Sequence, residues 1–467
     1  MCLHAVLLAS GLLTSLSGTI ASAYAQEAIH EKAISALDEQ KLHQALDAYD
    51  RGDANTAEPL LRRLNQLYPQ NYPAAEALGS LYVEAGNLNA ALPLLRKACL
   101  LAPKESLASA NLGAAYLKLS RTPDAVRELR RAVALDPGNA ASQASLAQAL
   151  MLAGETKAAL DAFAAAAAAD PNNTKLRYAW ALALYNSNAP AEAAKQLKQI
   201  PPASWTDEMH ALAGDANERA GHFPEAIAEF EAASRQNPSE ENLYALTAEL
   251  MRHWNWKEAR EVADFGSQKF PQASRFRIAA GASLFGASDF KAAVQVFSAL
   301  LAADPANAVE ADLLGRSCAA LADDQFTGCE GLYQYAERHP GNPVMTTYAA
   351  IALLHAPGDA ATLDKAETLL RSAIAHNPRY AEAYMRLGAV QQARQQWVES
   401  AASLERAIAL DPSSAEAHYR LSRAYAHLGR RDEAQQQNVL RQSCEEKAKA
   451  SINARMQEVV RFVLTPG

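Results

Sequence analysis

The sequence predicts an all-α protein built as a solenoid of repeated helix pairs, and three observations carry that reading. A proline recurs every 34 residues, at Pro69, Pro103, Pro137 and Pro171. Other positions keep the same phase: Leu78-Gly79, Tyr82, Ala91, Leu95 and Ala98 in one period, and Leu112-Gly113, Tyr116, Ala125, Leu129 and Ala132 in the next. Between the prolines, apolar residues fall at spacings of three and four, the mark of amphipathic helices. Leu, Ala, Glu, Arg and Gln dominate while aromatics make up only 7%, which suits short, closely packed helices. A chain of 467 residues would otherwise suggest about three globular domains, but a fixed period of this length overrides that prior.

Taken in order, residues 1–25 read as a secretory signal peptide. The stretch AVLLASGLLTSLSGTIASA is apolar, and Ala23-Tyr24-Ala25 supplies an A-x-A cleavage site before Gln26. Residues 1–4 hold no Lys or Arg, so an uncleaved membrane anchor stands as the alternative; the segment is near the ~20 residues that span a bilayer. Residues 26–37 form a short helical lead-in. In the first repeat, KLHQALDAYDRG ends at Gly52 and AEPLLRRLNQLY ends before Pro69. Gly52, Gly86 and Gly154 share one phase, where a left-handed residue closes the first helix. Proline at the end of the second helix cannot continue it.

A second set of glycines sits inside the first helices, at Gly79, Gly113, Gly214, Gly281, Gly315 and Gly388. Each costs about 1 kcal/mol against alanine there, so the expected gain is close approach of the paired helix. Alanines at Ala57, Ala91, Ala125, Ala159, Ala226, Ala259, Ala293 and Ala434 face that contact. One pair cannot bury such a stripe alone, so the repeats must stack.

These residues resemble the tetratricopeptide repeat, with its Leu-Gly, Tyr, Ala, aromatic, Ala and Pro positions; Phe163, Phe230 and Phe297 occupy the aromatic one. The resemblance implies a right-handed α-solenoid of about twelve helix–turn–helix repeats: 38–202 with repeats one to five, 203–447 with repeats six to twelve. The period slips at Pro201-Pro202 and lengthens to Pro238. That site reads either as a boundary between two stacks or as a tolerated loop change. Residues 355–362, HAPGDAAT, form a longer turn. Residues 448–467 read as a C-terminal capping helix and tail, with Met456, Val459, Val460 and Val463 on one face.

The net charge of −8 gives no footing for nucleic acid, which needs a basic face. Four cysteines remain beyond the leader: Cys99, Cys318, Cys329 and Cys444. Cys318 and Cys329 lie in the paired helices of one repeat, where a bridge is geometrically open; small buried hydrophobes are the favoured reading. The sequence holds no H-E-x-x-H, G-x-S-x-G, P-loop, G-x-G-x-x-G or C-x-x-C. No catalytic residue, cofactor or metal site is therefore expected, and no enzyme activity.

In the family that this sequence resembles, the first helix of each pair lines a concave groove that binds a peptide. The groove-facing candidates are Met151, Leu152, Tyr178, Leu182, Tyr185, Tyr244, Met251, Ile278 and Phe285, residue types that suit an adaptable peptide surface. Towards the other end, Arg386, Arg420 and Arg423 form a candidate anion-binding set, with pairing to Glu382 and Glu416 as the alternative. The positions used by chaperone-binding relatives to clamp a C-terminal carboxylate fall at Glu76, Ser80 and Asn111; only Asn111 matches, so that partner is not expected. The expected function is a non-enzymatic binding scaffold for a protein or peptide, periplasmic or secreted, with membrane contact only if the leader stays attached. The alternatives are a component of an envelope assembly and a glycan-binding solenoid.

Overall fold

Why the chain folds as stacked pairs is visible at single contacts. The computed structural model describes residues 34–321, 328–354 and 360–464, with side chains described up to 447. The leader, most of the lead-in, most of the 355–362 turn and the side chains of Met456, Val459, Val460 and Val463 lie outside the described residues. Among those described there are 24 α-helices, one short 3-10 turn and no strand.

The chain divides into two compact units, up to Leu176 and from Arg177. The first holds α1 (Ala36–Asp50), α2 (Ala54–Leu67), α3 (Tyr72–Glu84), α4 (Leu88–Leu101), α5 (Ser106–Lys118), α6 (Thr122–Leu135), α7 (Ala140–Leu152) and α8 (Thr156–Ala169). All but the first turn of α9 (Thr174–Asn186) falls in the second unit, followed by α10 (Pro190–Leu197), α11 (Asp207–Ala220), α12 (Phe223–Gln236), α13 (Glu240–Arg252), α14 (Trp256–Lys269), α15 (Ser274–Gly286) and α16 (Phe290–Ala303). Then come α17 (Ala308–Ala320), α18 (Gly331–Arg338), α19 (Pro343–Leu354), α20 (Ala360–His376), α21 (Ala381–Ala393), α22 (Trp397–Leu410), α23 (Ala415–His427) and α24 (Arg431–Leu464). Odd-numbered helices are the first members of twelve pairs. The capping segment is continuous with the last pair: 431–464 is one helix, packed on α23 and also approaching α13 and α15. No described helix is long and apolar enough to cross a membrane.

The in-helix glycines do what their placement predicts. A β-carbon on Gly113 would stand 2.5 Å from Leu129, and one on Gly388 would stand 2.6 Å from Leu404. Gly214 meets Phe230 and Gly281 meets Phe297 in the same way. The large residue of each second helix thus rests directly on backbone, and Leu61, Leu95, Leu129, Phe297 and Leu404 are wholly buried. Gly86 and Gly154 close their first helices at φ +75 and +77, as expected. Ser120, Asn188, Trp254, Ser288 and Gln395 take the same left-handed turn without glycine; the packing of the pair imposes the turn.

The Pro201-Pro202 break lies inside the second unit and is packed. α10 is only eight residues long, Leu197 and Ile200 are buried, and the Trp205 indole N–H donates to the Ile200 carbonyl at 3.0 Å. A larger departure follows α17. Cys318 and Cys329 form a disulfide with Cα atoms 6.2 Å apart, where the sequence favoured two unlinked thiols. α18 is also short, so α17 lies directly against α19, and Tyr348 packs where a β-carbon on Gly315 would be.

At the start of the array, Tyr68 reaches back to α1. Its hydroxyl donates to Asp38 at 2.8 Å, with Lys41 at 3.1 Å and the Ser35 hydroxyl at 2.9 Å. The Tyr68 bond first, then Lys41 and Ser35, hold the Asp38 carboxyl down at about 2.

Three outcomes test this account. Gly113→Val should destabilise the chain by about 1–3 kcal/mol through overpacking, while Gly341→Ala, with nothing within 4 Å, should stay within about 0.5 kcal/mol; urea unfolding midpoints compare them. Reduction should remove about 2–3 kcal/mol of loop-closure stabilisation around α17–α19, read as faster amide exchange there. A depressed carboxyl stabilises the fold above its unfolded range and loses that contribution as pH falls. The Asp38 contribution is therefore present above pH 3.8 and lost on descent through about 2. An NMR titration should place Asp38 near the lower value, and Tyr68→Phe should raise it.

Candidate functional site

The first helices carry the candidate surface, and each unit presents its own part. In the first unit, Leu152 at the end of α7 is exposed and Met151 is half-buried. Glu76, Ser80 and Asn111 come together between α3 and α5. The Ser80 hydroxyl donates to Glu76 Oε1 at 2.8 Å, and the Asn111 amide donates to the same oxygen. Burial pushes the Glu76 carboxyl up, and these two bonds oppose it. The chain thus spends its one matching clamp residue on its own carboxylate.

In the second unit, Tyr178, Leu182 and Tyr185 lie on α9. The two tyrosines are half-buried against Leu197, Ile200 and Met209, and Leu182 is exposed. The Arg219 guanidinium stands 4.0 Å over the Tyr185 ring. On α13, Tyr244 sits edge-on to Phe276 with the Arg275 guanidinium 4.6 Å over its face. Burial raises the phenols of Tyr178, Tyr185 and Tyr244, so they are neutral donors. Ile278 and Phe285 on α15 are half-buried against the core. Met251 is different: it is completely buried and belongs to the core, not to an open surface. It points inward because α14 and α15 both pack on that side of α13.

The arginine set divides. Arg386 is paired with Glu382 at 2.7 Å and Glu416 at 3.5 Å, and Arg420 is paired with Glu416 at 2.8 Å. Their charge is matched within the chain. Arg423 is exposed beside the Tyr419 ring.

Sequence reasoning missed one cluster. Glu218 near the end of α11 meets Glu249 and His253 at the end of α13, with one ligand atom of each within 4.8 Å of the others. Glu249 is 1% exposed. Burial first, and then the facing Glu218 carboxylate, push the Glu249 carboxyl well above the usual range, against the pull of Arg252. The legible signal was spacing: in an array with a 34-residue period, positions 31 and 35 apart are neighbours.

Tetratricopeptide-repeat family models match residues 42–106 and 111–174 and residues 392–438. No curated protein matches the sequence significantly. Among solved structures, the Naa15/Naa10 complex bound to HypK-THB is 14% identical over 92% of this chain and 69% of that one, with a TM-score of 0.39. PilF of Pseudomonas aeruginosa is 16% identical over 44% of this chain and 94% of its own, with a TM-score of 0.39. YrrB, described as a tetratricopeptide-repeat protein with an unusual peptide-binding site, is 18% identical over 40% and 95%, with a TM-score of 0.36.

Proposed function

The chain is a tetratricopeptide-repeat protein, and from that premise we propose that it is a non-catalytic scaffold that holds a peptide or protein segment against the first helices of its second unit, outside the cytoplasm. That fold suggests protein–protein interaction, and the family is generally non-catalytic. The observation that carries the finer reading is the α9 surface. Leu182 is exposed between two tyrosines that are anchored from below by buried Leu197 and Ile200. Rigid, half-buried aromatics beside an exposed aliphatic residue are the anchors that bound apolar side chains exploit, and they lose little entropy on binding. The segment recognised is accordingly one with an apolar face, such as an amphipathic helix.

Two features support export. Residues 1–25 carry the apolar run and A-x-A site of a secretory leader. The Cys318–Cys329 disulfide belongs to an oxidising compartment.

Cross-linked capture from the native cell envelope tests the binding reading. Leu182→Glu changes an exposed position without touching the core, and Tyr178→Ala with Tyr185→Ala removes the flanking rings. A partner captured by the wild type should lose affinity at least roughly tenfold in both variants, the scale of a hot spot. Partners held equally well by all three proteins would move the site off α9. Export is checked separately: the mature chain should begin at Gln26 by intact mass and leave the cell with the periplasmic or secreted fraction. A full-length chain in the cytosol would refute that part alone.

A further inference from the structure

The Glu218–Glu249–His253 cluster has a division of labour that a plain salt-bridge network does not require. Each carboxylate turns one oxygen towards Arg252 and the other towards the His253 ring. Arg252 Nη1 pairs with Glu249 Oε2 and lies 3.6 Å from Glu218 Oε1. His253 Nε2 lies 2.9 Å from Glu218 Oε2 and 3.2 Å from Glu249 Oε1. One ring nitrogen and one oxygen from each carboxylate therefore converge, while the guanidinium fixes the two oxygens behind them. That is the arrangement in which outer groups orient metal-binding ones.

The buried oxygen is the independent observation. Glu249 Oε1 is buried and accepts no hydrogen bond. The single N–H that Nε2 can carry is directed to Glu218 Oε2, the shorter contact. A buried carboxylate oxygen facing a convergent site without a donor is costly. A cation at the convergence removes that cost. His253 and Glu218 are each 20% exposed, so the cluster is partly open to solvent. The Phe223 ring packs on the imidazole at 4.4 Å and holds its plane.

We propose that Glu218, Glu249 and His253 bind a divalent transition metal of the zinc type, tying α11 to α13. An imidazole nitrogen with two monodentate carboxylates suits zinc and excludes the all-oxygen preference of calcium or magnesium. Three protein ligands leave a fourth position for water or for a donor from a bound partner. The metal joins two successive helix pairs at the C-terminal ends of α11 and α13.

The test is zinc titration of the untagged, chelator-treated full chain by calorimetry, with cobalt absorbance reporting the ligand set. The expected result is one zinc per chain, a melting point raised by a few degrees at saturating zinc, and no comparable binding of magnesium or calcium. His253→Gln should weaken zinc at least roughly tenfold, and Glu218→Gln, a partly exposed position, should do the same while circular dichroism confirms the fold. Three results would each overturn the site: no zinc bound in the micromolar range, zinc bound equally by both variants, or calcium bound as tightly as zinc. The last would mean an acidic patch. Failure of this site leaves the α9 binding surface untouched, since the variants there and here are different residues.

Discussion

Everything in this chain depends on a side chain resting on bare backbone. Leu129 on Gly113, Leu404 on Gly388, Phe230 on Gly214 and Phe297 on Gly281 are one contact made repeatedly. Glycine in a helix interior is unfavourable by itself, so the contact is maintained by what it permits, a helix pair close enough to bury an alanine stripe. Ala57, Ala91, Ala125 and Ala159 are all at zero exposure. A pair fixed in this way still has an uncovered apolar side, which only the next pair can cover. Most contacts therefore run between successive helices and pairs, with α24 against α13 and α15 as the long-range exception.

The architecture was legible because its determinants are periodic. Pro69 through Pro171, the in-helix glycines and the left-handed Gly86 and Gly154 each mark a position that backbone geometry restricts, and the structure uses them as expected except at Gly315, which takes Tyr348 of the next pair and not a residue of its own. Ser120 and Trp254 were not legible as turn closers, because there the pair's packing overrides local preference. The disulfide was not the favoured reading of the sequence; it joins Cys318 near the end of α17 to Cys329, just ahead of α18.

The surface was less legible than the fold. Facing direction is decided by which neighbours pack on a helix, and the sequence gives only the helix. Tyr178, Leu182 and Tyr185 stay at the surface of α9, but Met251, chosen by the same register, is enclosed by α14 and α15. Charges behave likewise. Arg386 and Arg420 are matched by Glu382 and Glu416, one turn away or one repeat away. The Glu218–Glu249–His253 cluster escaped because its members are not close in sequence on one helix alone. In a solenoid the informative comparison is between positions about one period apart, and a motif scan does not make it.

The Cys318–Cys329 bridge also matters mechanically. Stacked pairs that touch mainly their neighbours act under tension like links in series, and a lightly packed link yields first. α17 and α18 pack lightly on each other, and the latter is only eight residues long. The bridge withholds the ten residues between Cys318 and Cys329 from extension, roughly 33–36 Å of chain that a pulling force cannot draw out. The bridged segment therefore stays short under load, whatever happens to the helices on either side of it.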